Sequence, residues 1–355
     1  MTRMKTSHWA ILSCSFFLLG LAACHSNSGP QTVPLIGAGS TFVYPAMSRW
    51  TADFQQLHPN AHINYQSIGS GGGIQQVKAG TVDFGATDLA LTDAQLKNYP
   101  PVLQIPESAG PVCITYNLQG IQQPVKLTAA ALAGIYLGNV KKWNDKEITE
   151  SNPGVQLPNL PIVVVHRSEG SGTTGIFTTY LSAVSPEWKS RVGAGTSVAW
   201  PLGLGGKGNE GVTGQVHDTP GAIGYVELAY ATENKLPLSP VQNLSGNFVT
   251  PSEASTTAAI NAFTGQLKAD PRSPIVNPPA AVSDAYPIAG LTFLLIPKDG
   301  TDKAKRTMLK QFVQYVVSAG QTTAETLNYS PLPSAVQDYD QQTLGQMTAN
   351  GQPIQ

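Results

Sequence analysis

The sequence predicts an α/β protein built on an open sheet, and three stretches carry that expectation. Residues 35–57, 64–79 and 162–184 each read as a short apolar strand, a turn rich in Gly, Ser or Thr, and a helix with a buried stripe. In open α/β sheets such turns lie at the carboxyl ends of the strands, where ligands bind. At 355 residues the chain has room for about two domains.

Taken in order, the chain begins with a positive pair, Arg3 and Lys5, and an apolar run, Ile11 to Leu21, too short for a comfortable membrane span. Leu21-Ala22-Ala23 then leads to Cys24. Residues 1–23 are expected to be a signal peptide and 24–33, polar in composition, a flexible tether. The small residues before Cys24 resemble the lipobox of bacterial lipoproteins, which implies a diacylated Cys24 as the new N-terminus. An exported protein with a chance cysteine is the alternative. Loss of Arg3 and Lys5 leaves 19 of the 21 basic residues against 22 acidic ones, a net charge of −3. Cys14 would leave with the signal and Cys24 would carry lipid, so Cys113 has no partner for an intramolecular disulfide.

Leu35-Ile36 opens the fold as a strand, Gly37 to Phe42 turns, and Pro45 suits the first turn of a helix carrying Met47, Trp50, Phe54 and Leu57. His62 to Ile68 alternates as a strand. Gly69 to Gly73 leads into a short helix with Ile74 and Val77 that ends near Gly80. Val82 to Thr87 is a further strand with Asp88 at its exit, and Thr92 suits a helix cap. Pro111 to Leu118 reads as a strand, and Thr128 to Leu137 as a helix closed by Gly138. Ile162 to Val165 is a buried strand before the turn His166–Thr173 and a helix with Ile176, Phe177, Tyr180, Leu181 and Val184. Leu202 to Asn209 is a glycine loop, and Pro220 to Glu227 a turn and strand. Residues 237–280 are irregular apart from one helix around Ala258–Leu267. Ile288 to Ile296 is a strong strand. Lys303 to Ala319 is the best amphipathic helix, burying Met308, Leu309, Phe312, Val313, Val316 and Val317, and the tail from 331 is polar and helical at most.

The composition, 41% hydrophobic and 12% charged with 35 Gly and 27 Pro, describes a globular, loop-rich chain. With a formal charge of −1 no basic surface advertises nucleic acid. A small anion would have to be held by local dipoles and one or two charges. The turn at 166–173 offers those: a helix start with free N–H groups, hydroxyls on Ser171 and Thr173, and the planar donor fork of Arg167. The same residues also suit an ordinary capped helix with a surface arginine. Several enzyme motifs fail. A nucleophile elbow needs glycine two before its serine, where Ser171 has Glu169, Ser70 has Ile68 and Ser40 has Ala38. The dinucleotide fingerprint fails at Phe42, and Gly206-Lys207-Gly208 is no phosphate loop. No histidine pair has metal-ligand spacing, so neither metal nor cofactor is expected. What remains is a donor set, Thr41, Ser70, Ser171, Thr173 and Arg167, with one acceptor, Asp88. As a turn or capping residue Asp88 would need no ligand; beside an anion it is repulsive unless the anion carries a proton. Glu169 either braces Arg167 or is a solvated loop residue.

From Leu35 to Tyr329 the chain resembles the phosphate-binding proteins of bacterial phosphate ABC transporters. The resemblance rests on Gly37–Phe42, Tyr65–Gly73, Thr81–Asp88, Ile135–Gly138, Lys142–Asn144, Arg167–Thr173, Trp200–Asn209 and Pro220–Glu227, in that order. It implies a type II periplasmic binding protein: two lobes of mixed sheet flanked by helices, a two-strand hinge near Pro111–Leu118 and Asp284–Ile296, lobe I at 34–112 and 285–355, and lobe II at 113–284. It further implies phosphate contacts from Thr41, the amide of Phe42, Ser70, Asp88, Arg167, Ser171 and the amides of Gly172 and Thr173, with Glu169 behind Arg167. Asp88 would accept a hydrogen bond from protonated phosphate and reject sulfate. Two departures stand out: Glu169 where the family often has aspartate, and Gly71 where many relatives have serine, leaving only an amide. The implied partners are inorganic phosphate and the membrane permease and ATPase subunits of the transporter, with the protein extracytoplasmic and held at a membrane by Cys24. A phosphatase on the same scaffold and a receptor for sulfate, tungstate or a phosphonate are the competing readings.

Overall fold

The structure, a computed structural model, describes residues 32–354. The expected signal peptide, Cys24 and nearly all of the tether lie outside the described residues. In chain order the elements are β1 (Val33–Gly39), α1 (Tyr44–Leu57), β2 (Ala61–Ser67), α2 (Ser70–Ala79), β3 (Phe84–Thr87), α3 (Asp93–Leu96), β4 (Val102–Tyr116), α4 (Ala129–Leu137), α5 (Lys146–Thr149), β5 (Val163–Arg167), α6 (Gly172–Val184) and α7 (Pro186–Arg191). There follow β6 (Leu204–Gly206), α8 (Gly208–Asp218), β7 (Ala222–Glu227), α9 (Leu228–Glu233), β8 (Val241–Gln242), β9 (Phe248–Val249), α10 (Glu253–Ala262), α11 (Thr264–Ala269), β10 (Ala289–Pro297), α12 (Lys303–Val316), α13 (Gly320–Thr326), α14 (Ser334–Leu344), β11 (Thr348–Ala349) and β12 (Gln352–Pro353).

Eight strands form one mixed sheet in the order β2-β1-β3-β10-β4-β7-β5-β6. The three expected strand–turn–helix units are present as β1–α1, β2–α2 and β5–α6, and β6–α8 adds a fourth where the sequence suggests only a glycine loop. At each end of the sheet the strands of these units run parallel: β1 with β2 and β3, and β5 with β6 and β7. Between them β4 and β10 are antiparallel to each other and to their neighbours. Strand β4 begins nine residues earlier than expected and changes partner part-way: Val102–Pro111 lies against β10, and Val112–Tyr116 lies against β7. The ladder slips between Thr292 and Phe293, which oppose Ser108 and Pro106, so Glu107 is the extra residue of a β-bulge.

Helix starts and stops follow the local chemistry. Thr128 accepts the amide of Ala131 at the start of α4, and Gly138 closes that helix with φ +79°. Thr92 and Gln95 form a capping box on α3. Of the six apolar side chains expected on the amphipathic helix, five lie on α12 and Val317 follows its end, and all six are buried. The single helix expected around 258–267 is instead two, α10 and α11, broken at Phe263. The polar tail carries α14 and also a hairpin of β11 and β12, turned by Asn350-Gly351 with both residues at positive φ. Two aromatic clusters anchor the two ends of the sheet. Phe54, Tyr65, Phe84 and Phe312 pack together under β1–β3, and Tyr136, Phe177, Trp200 and Tyr225 under β5–β7.

Candidate anion site

The amino ends of α1, α2, α6 and α8 meet at one place, together with the exit of β3. Gly71 of α2 donates its amide to Gly170 O at 2.9 Å, just before α6. Asn209 of α8 reaches Thr41, just before α1. A Cβ added to Gly172 at the start of α6 would stand 2.6 Å from Cβ and N of Asp88 and from Oγ of Ser70. Glycine is therefore required there by close approach and not by backbone angle. The amide of Gly71, expected to be available to a ligand, is spent on this junction. Four helix amino termini meeting at one buried place bring positive dipole ends, although the first two amides of α8 are spent on Glu169 and Thr41.

Every sequence-predicted contact residue with a side chain in question is gathered here and buried: Thr41, Ser70, Asp88, Arg167, Ser171 and Thr173. Phe42, implied through its amide, is fully buried beside Thr41. Arg167 ends β5, and its guanidinium is held by Glu169 through Nε at 2.9 Å and through Nη2. Nη1 donates to Thr173 Oγ1 at 3.2 Å. These bonds use three of the five guanidinium N–H groups and leave one on each terminal nitrogen. Glu169 is thus a brace, and its Oε1 also accepts the amide of Gly208 at 3.0 Å.

Asn209, to which the sequence reading gave no role, sets the direction of the hydroxyl protons. Its Oδ1 accepts the amide of Glu227 at 3.0 Å, which fixes the orientation of the side-chain amide. Its Nδ2 then donates to Thr41 Oγ1 at 2.8 Å and to Thr173 Oγ1 at 3.4 Å. Thr41 Oγ1 receives a second bond, from the Asn209 amide at 3.2 Å. A hydroxyl has two acceptor positions. With both filled, Thr41 can only donate. Thr173, which accepts from Arg167 and Asn209, is in the same state. The Oγ of Ser171 accepts the amide of Thr174 at 3.1 Å as the cap of α6, which leaves its proton free as well.

Asp88 is the one carboxylate facing these donors. Its Oδ1 accepts from Ser40, a second residue without an assigned role, and its Oδ2 meets Ser70 at 3.4 Å and Thr173 at 3.5 Å. Burial pushes the Asp88 carboxyl up to about 6, against the lowering effects of the Ser40 hydrogen bond and the Arg167 charge. At neutral pH it is an acceptor. Nearby, Glu107 and Glu227 are fully buried and burial pushes each up to about 8, so both hold their protons at neutral pH.

The arrangement defines a class: an α/β solute-binding protein whose cage of donors contains one buried carboxylate, Asp88, that is not paired with the arginine. Consistent with that, the family described as a PBP superfamily domain matches residues 25–319. The chain is 47% identical over 305 residues to a phosphate-binding protein, PstS, of Xylella fastidiosa strain Temecula1, covering 85% of this chain and 82% of the relative. It is 41% identical over 307 residues to the protein of the same name from Haemophilus influenzae, covering 86% and 91%. Among solved structures, the fold is similar to a phosphate ABC transporter substrate-binding protein with bound phosphate from Clostridium perfringens, at TM-score 0.61 and 17% identity, covering 84% of this chain and 100% of that one. It is also similar to a phosphate-binding protein of Stenotrophomonas maltophilia, at TM-score 0.66 and 19% identity, covering 90% and 96%. The chain belongs to the PstS family of phosphate-binding proteins.

Proposed function

We propose that the chain binds inorganic phosphate between two lobes and delivers it to the permease and ATPase subunits of an ABC importer. Thr41, Ser70, Ser171 and the amides of Phe42, Gly172 and Thr173 donate to its oxygens, Arg167 adds a charge-assisted fork, and Glu169 steadies Arg167. Asp88 accepts the proton that the phosphate still carries. The lobes are 34–112 with 285–355, and 113–284. The change of partner along β4 at Pro111/Val112 supports that boundary and a hinge there. Residues 1–23 and Cys24 read as an export signal and a lipid anchor, which would keep the protein extracytoplasmic at a membrane.

One observation carries the reading: a buried Asp88 standing among hydroxyls that include two, Thr41 and Thr173, with both acceptor positions filled. Sulfate at neutral pH has no proton to offer it. A site built around one specific hydrogen bond rejects an analogue lacking it by about 10⁴–10⁵-fold. Ser171 is read as a cap and donor: its oxygen accepts the amide of Thr174, which turns its proton away from the helix. Calorimetric titration of the purified protein with phosphate and with sulfate tests the proposal. Phosphate should bind far more tightly, and Asp88→Asn should keep phosphate binding while the preference over sulfate falls by at least about tenfold. Equal affinities in the unmodified protein would remove the role given to Asp88.

A further inference from the structure

Asp88 has two carboxylate oxygens, and reading a proton requires one of them to be held while the other turns to the anion. Oδ1 is held by the Ser40 hydroxyl. Ser40 is fully buried and well fixed. Its amide donates to Ala86 O at 2.9 Å, its carbonyl accepts from Tyr65 OH at 2.9 Å, and its Oγ accepts the amide of Val43 at 3.3 Å. With an amide donor on its oxygen and a carboxylate in front of it, the Ser40 proton is directed at Asp88. Oδ2, by contrast, meets Ser70 and Thr173, both at the long limit for a hydrogen bond between oxygens, and the Thr292 hydroxyl acts on the carboxyl more weakly than Ser40 does. Arg167 does not take it over, since the ion pair of that side chain is with Glu169.

We infer that Ser40 is a specificity-determining positioning residue: by pinning Oδ1 of Asp88 it presents Oδ2 as the oxygen that tests a bound oxyanion for a proton. This rests on the phosphate reading above. Ser40 also keeps that oxygen an acceptor. Among the influences that oppose the effect of burial on Asp88, its hydrogen bond is the strongest, ahead of the charge of Arg167. The other ionisable groups that sense Asp88 are Glu107 on β4, Tyr65 on β2 and Tyr329 after α13. Burial raises all three and holds them neutral at pH 7, so none replaces the Ser40 donor as a counter-charge. Without Ser40 the carboxyl keeps its proton to higher pH. A protonated Asp88 donates where it should accept, and fully ionised sulfate then fits.

The test is to measure phosphate and sulfate affinities from about pH 5 to about pH 9 for the unmodified protein, Ser40→Ala and Ser40→Thr. In the unmodified protein sulfate affinity should rise as pH falls through about 6. In Ser40→Ala that rise should begin about one pH unit higher, and the phosphate-to-sulfate ratio at neutral pH should drop about tenfold. Ser40→Thr keeps the hydroxyl and should follow the unmodified protein. A Ser40→Ala protein with an unchanged ratio and an unchanged pH profile overturns the inference, as does one that loses both affinities in parallel. Should Ser40→Ala fail to fold, Ser40→Cys, similar in size with a much weaker donor, carries the same expectation and the same refutation. An unmodified protein that binds both anions alike refutes the phosphate reading itself, and this inference with it.

Discussion

On one side of the cage β1–α1, β2–α2 and β3 bring together Ser40, Thr41, Ser70 and Asp88; on the other, β5–α6 and β6–α8 bring together Arg167, Ser171, Thr173 and Asn209. The same strand–turn–helix unit builds both, yet their charges differ. The first side holds a carboxylate served only by hydroxyls. The second holds a guanidinium already countered by Glu169. With Asp88 and Glu169 ionised against Arg167, the cage carries one net negative charge before any anion arrives. Attraction must therefore come from oriented dipoles, namely hydroxyls whose acceptor positions are filled and the positive ends of the helices that start here. On the proposed function, selectivity comes from the first side and most of the strength from the second.

Removing Arg167, the cation of the cage, should break this division most severely. Arg167→Ala leaves a buried Asp88 and a partly buried Glu169 with no counter-charge. Losing one partner of a buried, hydrogen-bonded charge pair costs about 2–5 kcal/mol, roughly 30-fold to a few thousandfold in Kd. Calorimetry should show that loss for phosphate. A change below about threefold would mean that the helix termini alone carry binding.

The contact between the two sides can be attacked without touching a charge. Gly172→Ala places a methyl 2.6 Å from Asp88 Cβ and N and from Ser70 Oγ, and the backbone and Cβ atoms among these cannot step aside. Overpacking of this kind costs about 1–3 kcal/mol, so phosphate affinity should fall by about tenfold or more. Unchanged affinity would show that the two sides stand further apart when phosphate is bound than they do here.

How far this could be read from sequence differs between the levels of structure. Strands and helices with a regular apolar period were legible: the stripe of α12, the caps at Thr128 and Gly138, and the turns before α1, α2 and α6. Gly/Ser turns announced where donors would lie. The β6–α8 unit was hidden because Leu204–Gly206 has almost no side chain to show a period. The early start of β4 was hidden because Pro106 and the bulge at Glu107 interrupt its alternation. Ser40 and Asn209 were passed over for a different reason. Their work is to set the direction of another residue's proton or lone pair, and it is visible only when partners 48 and 168 positions away come within hydrogen-bond distance.

The smallest effect on binding, and the sharpest view of the carboxylate side, comes from Glu107. As the bulged residue of β4 it is fully buried, with Oε1 accepting from Thr292 Oγ1 at 2.9 Å and Oε2 unpartnered among the described residues. Burial, reinforced by the nearby Asp88 charge, pushes its carboxyl up to about 8 from 4.5. The folded protein therefore binds a proton that the unfolded chain has released between those values. Stability from this group is fully present below about pH 4.5 and is lost as pH rises through about 8. Across that window one such proton contributes a slope of up to about 1.4 kcal/mol per pH unit. Glu107→Gln reproduces the neutral form and cannot ionise, so the variant should lose less stability than the unmodified protein as pH rises from about 5 to about 8. Glu227, raised to a similar value, stays in both proteins and cancels in the comparison. Phosphate affinity should change by less than about threefold, because Glu107 touches Thr292 and not the donor set. Parallel melting curves for the two proteins would mean that Glu107 is ionised in the fold, and that a second buried negative charge stands behind Asp88.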